Sequence, residues 1–138
     1  MKYIIWILIL GIFTWIITYN IPRKYRIRPC TGRNWNKAFP KTSKVEIRKF
    51  LVLFTSAFAF SSKNKLKFKP EDKILDIYQT LYPYQWMADS LEIEILAEDL
   101  EAEYGINLNS LWHDDLTLGE IFYKTTTKNH EASLLKFK

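Results

Sequence analysis

The chain has 138 residues, 48% of them apolar and 16% aromatic, with one cysteine. That length suits a single domain and is too short for a large α/β enzyme; the composition excludes disordered and collagenous chains, and one thiol excludes a disulfide scaffold. The net charge of +5 hides a division: residues 1–69 hold 15 Lys and Arg against Glu46 alone, residues 70–123 hold Lys73 against 13 acids, and residues 124–138 hold four Lys against Glu131.

Tyr3 to Tyr19 is a charge-free run of 17 residues, about 25 Å as a helix at about 1.5 Å per residue. No small-residue cleavage site follows it, so residues 1–21 are expected to be a retained transmembrane anchor. Trp6, Trp15, Tyr3 and Tyr19 lie toward its ends, where amphipathic rings favour the headgroup layer. Lys2 precedes the run, whereas Arg23, Lys24, Arg26, Arg28 and Arg33 follow it. The positive-inside rule then predicts a single-pass protein of the inner, cytoplasmic membrane with its C-terminal part facing the cytoplasm. Cys30, 11 residues past the run and preceded by Arg28 and Pro29, is not a lipoprotein cysteine and reads as an incidental or structural thiol.

Residues 22–42 mix Pro22, Pro29, Pro40 and Gly32 with basic residues and Tyr25, Trp35 and Phe39. The expectation is a basic juxtamembrane linker lying on anionic membrane lipids, in preference to RNA bound by base stacking. Residues 43–124 are expected to form the helical domain. Ser43 with Glu46 is a capping-box pattern ahead of Val45, Ile47, Phe50, Leu51, Phe54 and Phe58, which predicts an amphipathic helix to about Phe60. A turn at Lys63-Asn64-Lys65 follows, and Pro70-Glu71-Asp72 opens a second helix through Ile74, Leu75, Ile77, Tyr78 and Leu81. Asp89, with Glu92 three residues on, predicts the cap of a third helix that Gly105 stops after Tyr104. Its apolar stripe is Ile93, Leu96, Ala97, Leu100 and Tyr104, and its outer face is acidic. Thr117 caps a short final helix, Leu118 to Tyr123, and residues 125–138 are expected to be a flexible basic tail. His113 and His130 read as isolated surface histidines and Asp114 with Asp115 as a solvated pair, so neither a catalytic set nor a metal set is expected.

Ala88 to Phe122, ADSLEIEILAEDLEAEYGINLNSLWHDDLTLGEIF, resembles acyl carrier proteins of the fatty-acid and polyketide type. The likeness comprises Asp89-Ser90-Leu91, an acidic helix, the turn Tyr104-Gly105-Ile106, a polar loop, and a Thr-led last helix with Thr117 and Ile121. The resemblance implies an all-α, acyl-carrier-like four-helix bundle behind the transmembrane helix, and a protein that is not itself an enzyme. It implies that Ser90 carries covalent 4′-phosphopantetheine, flanked by Asp89 and Leu91, whose thiol holds an acyl group as a thioester. The partners it implies are a phosphopantetheinyl transferase and an acyl-transfer or lipid-modifying enzyme whose basic patch docks on Glu94, Glu98, Glu101 and Glu103; nucleic acid is not among them. Three departures stand out: Met87 behind Trp86 where the family has Gly, Glu94 and Glu98 where it has exposed apolar residues, and the extra helix around Ile74 to Leu81. The alternative is a degenerate carrier fold, never modified, that acts as a membrane-anchored binding or immunity-type adaptor through the acidic helix.

Overall fold

The structure, a computed structural model, describes residues 2–19, 21–84, 86 and 90–136. Helices α1 (Lys2–Tyr19), α2 (Arg23–Arg26), α3 (Gly32–Ala38) and α4 (Lys44–Ala57) precede a 3-10 turn, Ser62–Lys67. Then come α5 (Ile74–Leu81), α6 (Leu91–Tyr104), α7 (Leu108–Leu111) and α8 (Leu118–Leu135).

The chain is mostly helical, but the transmembrane anchor is corrected. Among the described residues no helix is long and apolar enough to cross a membrane. Helix α1 has 18 residues including Lys2, which at about 1.5 Å each gives about 27 Å against a hydrocarbon core of about 30 Å. The inner-membrane, single-pass placement and its topology fall with the anchor. Tyr3, Ile4 to Leu10 and Ile12 are nonetheless exposed along α1.

Helix α4 begins as its sequence predicts. The Glu46 N–H donates to Ser43 Oγ and the Ser43 N–H to Glu46 Oε2, both at 3.2 Å, which satisfies two otherwise unpaired amides. Ile47, Phe50, Leu51 and Phe54 recur at helical spacing and are buried. The helix closes through Ala59 in the left-handed region (φ 54°), with the Phe60 N–H donating to Thr55 O at 2.8 Å.

Residues 22–42, expected as a linker on lipid, send Tyr25, Thr31 and Trp35 inward and leave most of their basic side chains exposed. Ile21, Tyr25, Thr31 and Trp35 are buried in the same cluster as α4 or beside it. Thr31 Oγ1 donates to Leu66 O at 2.8 Å and to Phe68 O at 2.7 Å, and the Arg28 guanidinium pairs with Asp72 at 2.6 Å. The prolines interrupt the periodicity that would reveal a buried face, so the aromatic residues read as interfacial in the sequence. With α2, α3 and the 3-10 turn contributing to one core, the expected four-helix bundle is also too simple.

A short antiparallel bridge between Lys73 and Thr117 joins the starts of α5 and α8. Around it, Ile74 N–H donates to Leu116 O and Leu118 N–H to Asp72 O, each at 3.0 Å. Helix α6 lies against α4, α7 and α8. Of its predicted stripe, Leu96 and Leu100 are fully buried, while Ile93, Ala97 and Tyr104 pack half-buried against the core. Gly105 at φ 63° ends α6, its N–H donating to Glu101 O at 2.8 Å. Helix α8 starts in a Thr117–Glu120 capping box but runs to Leu135, well past the expected stop at Tyr123, so residues 125–135 of the expected tail are helical. Its threonines do not break it, because Thr125 Oγ1 donates to Phe122 O and Thr126 and Thr127 Oγ1 to Tyr123 O.

Candidate functional site

Ser90 immediately precedes α6, with its side chain exposed and its backbone left-handed at φ 59°, ψ 5°. That conformation costs an L-residue about 1–2 kcal/mol, and two hydrogen bonds hold it. The Ser90 N–H donates to the Tyr78 hydroxyl at 2.9 Å, and Ser90 Oγ donates to Glu94 Oε1 at 2.7 Å. Ser90 Oγ therefore points along the first turn and makes no capping bond to the α6 amides. Leu91 beside it is half exposed, at 51%.

The expected cap, Asp89, lies outside the described residues, as does Met87. Its expected partner Glu92 is used otherwise: the Tyr82 hydroxyl donates to Glu92 Oε1, and Glu92 Oε2 is buried with no hydrogen-bond partner among the described residues. A buried, unmatched carboxylate oxygen beneath the Ser90 turn was not legible in the sequence, because it depends on α5 delivering Tyr78 and Tyr82 to the head of α6.

The four acidic residues expected to dock a partner are all exposed on α6, but they are not equivalent. Glu94 accepts from Ser90, and Glu103 is paired with the Lys49 ammonium of α4. That pairing raises the Lys49 pKa above its ordinary value, while burial raises the Tyr104 phenol next to it. Glu98 and Glu101 have no ion-pair partner among the described residues. Asp115 is exposed, as expected of a solvated carboxylate, and pairs with Lys73 at 2.5 Å; the ammonium hydrogen bond holds its carboxyl below the usual aspartate value. His113 Nε2 lies 3.6 Å from Glu120 Oε1, and His130 is exposed. Among the described residues no three metal-capable side chains converge.

An open groove of about 570 Å³ lies elsewhere, between the end of α3 and the start of α8, lined by Phe39, Pro70, Leu111, Leu116 and Tyr123 among others. Ser90 does not line it. The hydroxyl is accessible and stands at the positive end of a 14-residue helix, which fits a phosphodiester attachment; the carboxylates of Glu92 and Glu94 in the same turn oppose it. No protein-family model, curated protein or solved structure matches the chain.

Proposed function

We propose that the chain is an acyl carrier with Ser90 as the attachment point for 4′-phosphopantetheine. One observation supports this reading above the others: a serine hydroxyl is exposed at the head of an acidic helix, and its backbone is held in a strained turn by Tyr78. Strain of this kind concentrates at functional positions. In the attachment step, Ser90 Oγ forms a P–O bond to the pantetheine phosphate of coenzyme A. The pyrophosphate bond breaks, 3′,5′-ADP leaves, and the Oγ proton passes to the transferase. When bound, the group supplies a terminal thiol that holds an acyl group as a thioester. The chain's own contribution is to present the hydroxyl, which Glu94 must release before it reacts. Glu98 and Glu101, without an ion-pair partner among the described residues, are the carboxylates that would steer a basic partner enzyme.

Incubating the full chain with coenzyme A and a phosphopantetheinyl transferase tests the reading by intact mass. The wild type should gain one prosthetic group and Ser90→Ala none. A folded wild type that stays unmodified with several transferases refutes it and leaves the unmodified adaptor.

A further inference from the structure

We infer that the cleft between α3 and α4 is a binding site for a phosphate monoester carried on a small apolar body. The cleft has a volume of about 180 Å³, room for about six waters at about 30 Å³ each and thus for a phosphoryl group with a ring-sized substituent. Exposed Cys30, Asn36, Lys44 and Arg48 form its rim, over buried Ile47 and half-buried Leu66.

The charges favour a dianion. Lys44 and Arg48 are four residues apart on α4 and so share a face. Neither has an ion-pair partner among the described residues. The nearest acid in sequence, Glu46, is turned into the Ser43 capping box and lines a different groove. No carboxylate among the described residues lines this cleft, whereas three other grooves hold Glu71 and Glu120, Glu46, and Glu131 respectively. Two like charges held together without a counterion attract an anion of charge two more strongly than a carboxylate of charge one. Arg48 and Asn36 line the cleft, and a guanidinium fork and an amide are donor groups suited to phosphate oxygens. Nucleic acid is disfavoured, because Tyr25 and Trp35 are buried and Phe39 is half-buried, which leaves none of the segment's three rings fully open to stack a base.

Cys30 is the only cysteine in the chain and sits on the rim, so its alkylation reports occupancy of this cleft alone. Phenyl phosphate is added to the full chain, and the rate of Cys30 alkylation by neutral iodoacetamide is followed by mass. At about four times Kd the rate should fall about fivefold in proportion to the free fraction. Inorganic phosphate should protect only at higher concentration, and Lys44→Gln/Arg48→Gln should lose the protection with helix content unchanged. The same double variant should also lower the ratio of iodoacetate to iodoacetamide rates, a measure that needs no ligand. No slowing at about 10 mM phenyl phosphate, ten times the millimolar Kd of a weak site, overturns the proposal. So does equal slowing in the double variant or by chloride at matched ionic strength, and equal protection by inorganic phosphate overturns the apolar part of the assignment.

Discussion

The Trp35 indole N–H donates to the carbonyl oxygen of Phe68 at 2.9 Å, fastening α3 to the extended stretch that leaves the 3-10 turn. Trp35 is also fully buried and meets Phe122 edge-on at 5.7 Å and Phe50 at 6.1 Å between ring centroids. A residue from the basic N-terminal half thus touches α4, α8 and the connection between them, and residues 22–42 cannot detach without opening the core.

Trp35→Ala should lower the unfolding free energy by about 3–5 kcal/mol, the range for deleting a buried ring. Trp35→Phe keeps most of the volume, and the Phe68 carbonyl still accepts Thr31 Oγ1 at 2.7 Å, so about 1 kcal/mol is expected there. Trp86 is 83% exposed, and Trp86→Ala should stay within about 0.5 kcal/mol. Urea unfolding followed by circular dichroism checks all three. Equal effects of the two alanine variants would place Trp35 outside the core.

Gly119→Ala tests the joint between α8 and the chain before α5. Alanine is the better helix former by about 1 kcal/mol, so an unconstrained position would gain stability. Here a Cβ would lie 3.0 Å from Pro70 O and 3.1 Å from Pro70 Cβ, and Gly119 N–H donates to that same oxygen at 2.8 Å. The neighbour is backbone and cannot swing aside, so overpacking of about 1–3 kcal/mol should dominate. A higher midpoint in the thermal unfolding of the variant would show that the two segments are not in contact.

The Glu120 carboxyl is held below its ordinary value of 4.5, first by the Thr117 backbone N–H that it accepts and, less strongly, by the Thr117 hydroxyl and His113. A carboxyl depressed in the folded state contributes stability that is present above its ordinary value and lost as pH falls through the folded value. Glu120→Gln can still accept the Thr117 N–H but takes up no proton. Its unfolding free energy should therefore fall less steeply than the wild type's below about pH 4.5, while at neutral pH it should lose only about 0.3–1 kcal/mol of helix-end charge interaction. Parallel acid limbs in the two urea series would contradict the capping box as the source of the depression.

The starts of α4 and α8 were legible in the sequence because the signal is local: Ser43 with Glu46 and Thr117 mark them, and Gly105 marks the end of α6, whereas the Glu120 half of the second capping box came from the structure. What could not be read depends on partners far apart in sequence. Tyr25 and Trp35 looked interfacial because nothing near them announces that Leu66 and Phe68, more than 30 residues on, will accept their segment's hydrogen bonds. Glu103 looked free for docking until α4 brought Lys49 beside it. Ser90 was legible as an exposed hydroxyl ahead of an acidic helix; its left-handed backbone was not, since nothing in Ser90-Leu91 departs from ordinary helix-start chemistry.

The two hydrogen bonds on Ser90 give separable effects. Tyr78 is 9% exposed on α5, and its hydroxyl accepts the Ser90 N–H at 2.9 Å. Tyr78→Phe keeps the ring in the core but leaves that amide unmatched, which should cost about 1 kcal/mol of stability and release the turn from its left-handed conformation. Glu94→Gln instead keeps an acceptor for Ser90 Oγ while removing charge, and should leave stability within about 0.5 kcal/mol. If the strained turn is what presents Ser90 to a transferase, Tyr78→Phe should slow attachment of phosphopantetheine several-fold at subsaturating transferase. Glu94→Gln should change it through the salt dependence of the rate alone. Timed intact-mass measurements at two ionic strengths distinguish the two variants. An unchanged rate in Tyr78→Phe, alongside the expected loss of stability, would mean that the turn serves the fold and not the attachment.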